Sequence, residues 1–190
     1  MKQIIVLIGI IFSVSCNTKT DQPQLDAADM PVGATQESFE DNPDMVKVTV
    51  NDAEGNVVAY GIYNKGVREG SWVENHPNGY IKSVIGYVNG LKEGQAVELN
   101  NRGQLLERFT FHNGLKDGLY TKYENSRIKE QKNYKNGKLE GKSEIFYENS
   151  KLMEESYYKN DKRDGVAKWY DQEGNLTIEY TYKDGEWIKE

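Results

Sequence analysis

The chain has 190 residues, 24 of them basic and 30 acidic, with a net charge of −6 and one cysteine. A single cysteine excludes an internal disulfide framework and a cysteine-clustered metal site. Setting aside Lys2, Lys19 and the seven acids from Asp21 to Asp44 leaves 22 basic and 23 acidic residues over 46–190. The acidity therefore sits near the N-terminus. No basic stripe is legible along the rest of the chain to neutralise nucleic-acid phosphates or to adhere to anionic lipid.

Residues 1–15 read as an export signal. Lys2 is a short basic start, and Ile4 to Phe12 is apolar except for Gly9. That run is too short for a transmembrane helix, which needs ~20 apolar residues, and has the length of a secretory hydrophobic region. Ser13-Val14-Ser15-Cys16 follows and resembles a bacterial lipobox of the relaxed kind found in Bacteroidetes-type lipoproteins. The resemblance implies cleavage before Cys16 and acylation of its thiol. The acyl chains would hold the protein on a membrane, each buried methylene contributing ~0.8 kcal/mol. Asn17 stands where an Asp would imply inner-membrane retention, so the resemblance implies the outer membrane, on its periplasmic or surface face.

Residues 16–45 show no hydrophobic period and contain Pro23, Pro31 and Pro43. The acids Asp21, Asp26, Asp29, Glu37, Glu40, Asp41 and Asp44 face only Lys19. Such a segment buries too little apolar surface to offset its ordering entropy, so it is expected to be a disordered acidic tether.

From residue 46 to 190 one pattern recurs about every 24 residues: an aromatic, a variable residue, Asn-Gly, then a charged pair and a second Gly. It begins at Tyr63, Tyr87, Phe111, Tyr134 and Tyr158, and Tyr182-Lys183-Asp184-Gly185 closes the series. A fixed period of this length marks a repeat array. Gly66, Gly90, Gly114 and Gly137 supply one set of turns, and Gly70, Gly94, Gly118, Gly141 and Gly165 end the charged pairs. A second set of turns falls at His76-Pro77-Asn78-Gly79, Asn100-Asn101-Arg102-Gly103, Glu124-Asn125-Ser126, Glu148-Asn149-Ser150 and Asp171-Gln172-Glu173-Gly174. Gly and Asn at these places provide positive φ. Each unit is thus a β-hairpin plus a connection, and no segment reads as a helix.

The second strand of each unit alternates apolar and polar residues. Ile81, Ile85 and Tyr87 are expected on one face, followed by Leu105, Phe109 and Phe111, by Ile128 with Tyr134, by Leu152 with Tyr158, and by Leu176, Ile178, Tyr180 and Tyr182. Lys82, Arg108, Lys129, Gln131, Glu155 and Glu179 take the other, as in an antiparallel sheet wetted on one side. The first strand keeps no strict parity: Trp72, Tyr120 and Trp169 lie near its start or middle and Tyr123, Phe146 and Tyr170 near its end, so a bulge or bend is expected there. Val46–Val50 and Val57–Ala59 form a degenerate opening unit, and Glu186–Glu190 begins a last strand. Atypical ends suit the capping of a solenoid.

The pattern resembles the MORN repeat, and more closely its bacterial variant. Tyr134-Lys135-Asn136-Gly137-Lys138-Leu139-Glu140-Gly141-Lys142 and Phe146-Tyr147-Glu148-Asn149 carry the likeness best. Departures are local: Ser126 and Ser150 replace a turn Gly, Asp161 replaces another, and the third unit is one residue shorter. The resemblance implies an all-β fold, an elongated single-layer antiparallel meander of about five to six stacked hairpins.

Repeats multiply one surface and seldom build one site, which argues against an enzyme. No catalytic constellation, metal site or cofactor motif is found. His76 and His112 read as solvated turn residues. The acids Glu69, Glu93, Asp117, Glu140 and Asp164 precede the second Gly, each but Glu140 following a base (Arg68, Lys92, Lys116, Arg163). A series repeated in every unit reads as a solvated edge rather than an acid–base pair, and the same holds for Glu154-Glu155. The aromatics Trp72, Tyr87, Phe111, Tyr120, Tyr123, Tyr134, Tyr158, Trp169 and Tyr182 read first as core. They are also the candidate partner-binding face, since Tyr and Trp are enriched at such surfaces. The expected function is a non-enzymatic, lipid-anchored envelope module that binds or scaffolds a protein partner. An immunity protein neutralising a periplasmic toxin is the alternative that the resemblance implies.

Overall fold

The computed structural model describes residues 30, 31 and 33–189. The expected signal peptide, Cys16 and the tether as far as Asp29 lie outside these residues. In chain order the strands are β1 (Thr35–Phe39), β2 (Asn42–Asn51), β3 (Val57–Asn64), β4 (Val67–Asn75), β5 (Ile81–Val88) and β6 (Leu91–Leu99). Then come β7 (Leu105–His112), β8 (Leu115–Lys116), β9 (Gly118–Glu124), β10 (Arg127–Lys135) and β11 (Lys138–Phe146). The last are β12 (Leu152–Lys159), β13 (Lys162–Arg163), β14 (Gly165–Tyr170), β15 (Leu176–Lys183) and β16 (Glu186–Ile188). They form one open antiparallel sheet in which neighbours in sequence are neighbours in space. β8 with β9, and β13 with β14, are single strands broken at Asp117 and Asp164.

Sheet begins inside the stretch expected to be a disordered tether, because Thr35–Phe39 and the start of β2 already pair. β1 is exposed along its whole length. An edge strand held by backbone pairing, a Thr35 hydroxyl donating to the Thr49 carbonyl (3.2 Å) and a Lys47–Glu37 ion pair (3.2 Å) needs no apolar period, and none could be read.

Two kinds of turn alternate. Asn89 and Gly90 have φ of 50° and 79°, so both central residues are left-handed, as a type I′ hairpin turn requires. Lys65-Gly66, Asn113-Gly114, Asn136-Gly137, Asn160-Asp161 and Asp184-Gly185 repeat it. In the first unit Lys65 rather than Asn64 holds the turn position, and Asn64 ends β3. On the opposite edge, four-residue turns at His76–Gly79, Asn100–Gly103, Tyr147–Ser150 and Asp171–Gly174 close with the last N–H donating to the first carbonyl at 2.9–3.0 Å. The short third unit replaces this with a two-residue turn, Asn125-Ser126, so its missing residue is lost from the loop.

Each hairpin also carries two irregularities of register. Between the pairs Ile85↔Ala96 and Tyr87↔Lys92, Gly86 faces Glu93, Gly94 and Gln95, with Gly94 at φ 77°. This is the bend expected in the first strand. A second bulge near the long turn leaves Lys82 unpaired between Glu74↔Ser83 and Asn75↔Ile81. Because partners share a face and successive residues alternate, that extra residue reverses parity. Ile81, Leu105, Ile128, Leu152 and Leu176 consequently lie on the face opposite Tyr87, Phe111, Tyr134, Tyr158 and Tyr182, and not beneath them as period-2 counting suggests.

The main row of the core runs across the strands on the aromatic face, while Val73 and Thr121 are buried on the other. Val48, Gly61, Trp72, Ile85, Ala96, Phe109 and Tyr120 lead into Lys132, Ser143, Ser156 and Ala167. Small residues interrupt the large ones in the first half of the row, Gly61 ahead of Trp72 and Ile85 and Ala96 ahead of Phe109 and Tyr120; a Cβ on Gly61 would overlap the Trp72 ring. Val48, Tyr63, Trp72 and Tyr87 form one buried cluster, against which Met30 and Ala34 pack from outside the strands. Ala96, Phe109 and Tyr120 form the second.

Ser150 stands at φ 65° in a turn whose counterparts are Gly79, Gly103 and Gly174. A left-handed L-residue costs roughly 1–2 kcal/mol that Gly avoids. Ser150→Gly is expected to stabilise the protein by about 1 kcal/mol, net of the greater unfolded-chain entropy of Gly. Thermal unfolding followed by circular dichroism should show Tm rising by ~2–4 °C.

Candidate functional site

The repeated charged pair is the feature that the sheet organises, and its two members do different work. The acid turns back to the next hairpin. Glu69, Glu93 and Glu140 carboxylates accept from the backbone N–H of Asn89 (2.9 Å), Asn113 (2.8 Å) and Asn160 (2.9 Å). Asp117 and Asp164 accept in the same way from Asn136 (3.1 Å) and Asp184 (3.4 Å). Beside each carboxylate the turn docks through its backbone. Gly90, Gly114, Gly137, Asp161 and Gly185 donate to the carbonyls of Arg68, Lys92, Lys116, Leu139 and Arg163 at 2.8–3.1 Å. The series read as a solvated edge is therefore a set of carboxylate staples between consecutive units.

The base turns onto the aromatic face. Arg68, Lys92, Lys116 and Arg163 pair directly across from Tyr63, Tyr87, Phe111 and Tyr158. Arg68 lies 4.5 Å from the Trp72 ring centroid and 5.2 Å from that of Tyr87. Lys116 sits among Phe109, Tyr120 and Tyr134 at 5.1, 5.1 and 5.5 Å. Arg163 covers Tyr158, Trp169 and Tyr182 at 5.3–5.9 Å, and Lys92 covers Phe111 at 5.6 Å. A cation over an aromatic ring is attracted by its negative face, with ~0.5–2 kcal/mol per contact depending on desolvation. The aliphatic stems also keep water from the rings.

Of the nine candidate aromatics, eight share this face: Trp72, Tyr87, Phe111, Tyr120, Tyr134, Tyr158, Trp169 and Tyr182. Tyr123 does not; it alternates to the opposite face and pairs with Ile128. Trp72, Tyr87 and Tyr120 are buried and the other five are half-buried. Edge-to-face pairs join Tyr63 to Trp72 (5.7 Å) and Tyr120 to Tyr134 (6.2 Å). Burial, and then the neighbouring carboxylate of Glu107, hold the Tyr120 phenol well above its ordinary pKa. On this face the most open aromatics lie at the C-terminal end instead, where Tyr180 is 39% and Trp187 50% exposed, their rings 5.0 Å apart and Lys189 5.3 Å from that of Trp187. Trp187 occupies the position taken by the base in earlier units, opposite Tyr182. That substitution is the signal by which it could have been singled out.

Glu154 and Glu155 point to opposite faces and form no acid pair. Glu154 accepts from Arg163 Nη2 (2.6 Å), Ser156 Oγ (2.6 Å) and Trp169 Nε1 (3.0 Å) on the aromatic face. Glu155 joins Glu144 about Lys142 on the other face, at 3.0 and 2.6 Å. Those two carboxylates hold the Lys142 ammonium above the ordinary lysine range. The histidines are partnered as well: His76 Nε2 donates to the Leu99 carbonyl (2.9 Å) and His112 Nδ1 meets Glu93 (3.0 Å). Among the described residues no group of three or more His, Cys, Asp or Glu could hold a metal ion.

The MORN repeat variant matches residues 139–160 and 163–184. Each match runs from the position of the capping base to the two-residue turn, so the family unit coincides with one hairpin of the sheet. The same frame recurs in the fold over 68–89, 92–113 and 116–136. No curated protein matches the chain.

The staples set a pH dependence. Hydrogen bonds from His112 and the Asn113 N–H lower the pKa of Glu93, that of the Asn136 N–H lowers Asp117, and those of Lys183 and the Asp184 N–H lower Asp164. A carboxylate whose folded pKa is depressed contributes stability above its unfolded value and loses it as pH falls through the folded one. Stability is thus expected to be level above the ordinary carboxylate range near pH ~4 and to fall below it. Chemical denaturation across pH 2–7 should show a shallower acid limb for Asp117→Asn than for the unsubstituted chain. A second comparison separates the adjacent acids. Glu154→Ala strips a partner from three donors and should cost about 2 kcal/mol, whereas Glu155→Ala should cost less than ~1 kcal/mol, both read by urea unfolding.

Proposed function

We propose that the chain is a lipid-anchored envelope protein whose sheet serves as a binding or scaffold module. The observation that carries this reading is mechanical. Every hairpin is fixed to the next by a backbone bond and a carboxylate staple, so successive units present their side chains at a regular spacing. A two-strand unit advances the sheet by roughly 10 Å. Such a ruler displays several side chains in line at once, which suits recognition of an extended partner. The repeat variant found in two of its units is compatible with that role. The lipobox-like Ser13-Val14-Ser15-Cys16 supports anchoring, with the repeats held out from the membrane by the segment between Cys16 and the first strand.

Expression of the full chain in a diderm host tests both parts. The unsubstituted protein should incorporate labelled palmitate and sediment with membranes, and Cys16→Ala should abolish the label and move the protein to the soluble fraction. Photo-crosslinking residues placed one at a time on the two faces should give a discrete adduct from one of them. Membrane association unchanged by Cys16→Ala would contradict the anchor, and the absence of an adduct from every position would contradict the binding role.

A further inference from the structure

Although no basic stripe is legible along the sequence, the sheet assembles one. On the face opposite the aromatic core, beside the two-residue turns, Lys135 pairs directly with Lys138 and Lys159 with Lys162. Lys183 continues the row on β15, opposite Glu186. In earlier units the same places hold Asn64 with Val67, Val88 with Leu91 and His112 with Leu115. The row therefore changes from neutral and apolar to basic along the array.

Like charges directly opposite one another in a sheet are destabilising, yet two such pairs stand in consecutive hairpins. Acids form close ion pairs only with the ends of the row, although Asp164 also feels the charge of Lys159 from farther away. Asp117 pairs with Lys135 (3.2 Å) and Asp164 with Lys183 (2.9 Å), at its two ends. Glu140 and Asp161, beside the same turns, each take a backbone N–H instead, from Asn160 (2.9 Å) and Leu139 (2.7 Å). Lys138, Lys159 and Lys162 have no ion-pair partner among the described residues. Tyr157, on the same face two residues before Lys159, is 39% exposed and adds an aromatic beside the charges.

From this row we infer that the face is a docking surface for an extended acidic peptide of a partner protein, a deepening that rests on the binding role proposed above. Shape selects the peptide over a membrane. Four strand steps separate Lys135 from Lys183, and at 20–25° per step the row turns by roughly 80–100° over about 20 Å. A flat lipid surface meets only part of such a row, whereas a strand-like chain can follow its twist. Alternate carboxylates of an extended peptide recur every ~7 Å on one side, so about three or four of them span a row whose lysines are ~5 Å apart, within the reach of the flexible lysine side chains.

The test uses the full chain carrying Cys16→Ala, so that no acyl group engages lipid, and a fluorescent oligo-glutamate peptide of about ten residues titrated by anisotropy. Binding is expected to saturate, to weaken with added salt and to fall at least tenfold in Lys138→Gln/Lys159→Gln/Lys162→Gln. That triple variant should unfold at the same Tm or higher, since like-charge pairs are relieved. Three results would overturn the inference: no binding at low salt, equal binding by the triple variant, or a Tm lowered by it. Cosedimentation with phosphatidylglycerol vesicles in place of peptide binding would overturn it too, in favour of a lipid surface. Failure here together with discrete adducts in cells would remove the acidic peptide and leave the binding role standing.

Discussion

A sheet one layer thick has no second layer to exclude water from its core, and ordinary domains close that gap with a helix layer or another sheet. Among the described residues this chain has neither. The repeated base supplies the missing cover. Arg68, Lys92, Lys116 and Arg163 each cross from one strand to lie over the rings of the neighbouring unit, so charged side chains become the lid of an aromatic core. Cation–aromatic attraction and the apolar stems both contribute, and neither requires an apolar surface to be left facing solvent.

The acid beside each base meets a second demand of the same architecture. A lone hairpin is marginal in water, so the array depends on nearest-neighbour coupling. That coupling is delivered at both edges. On one, a carboxylate and a backbone bond join each two-residue turn to the turn before it. On the other, the Asn78 and Asn149 amides donate to the carbonyls of Asn101 (2.7 Å) and Gln172 (3.2 Å), and the Tyr147 hydroxyl to that of Tyr170 (2.7 Å). The two ends of the array differ: Met30 and Ala34 close the N-terminal cluster, whereas Tyr180 and Trp187 leave the other end open.

Turn chemistry made most of the fold legible. Asn-Gly and the four-residue turn signals mark hairpin ends because few residues tolerate left-handed backbone, and strand pairing in chain order follows from turns so short. Side-chain facing was less legible. A bulge such as the one at Lys82 adds a residue without any change in composition, so counting by twos placed Ile81 and Leu105 on the aromatic face when they lie on the other. β1 leaves no apolar period in the sequence because an edge strand needs only backbone partners. The jobs of the charged pair, and the row of lysines, depend on register between strands, which sets residues 3 and 24 apart side by side and has no counterpart in linear spacing.

The central claim is that the carboxylate of one unit holds the turn of the next. Amide hydrogen exchange at Asn89, Asn113, Asn136 and Asn160 addresses it most directly. In an ordinary hairpin array these turn amides would face water, and here each donates to a staple. Protection well above the rate of a free peptide is predicted at all four sites, with that of Asn136 lost selectively in Asp117→Ala. Free-peptide exchange at these amides in the folded protein would contradict the account.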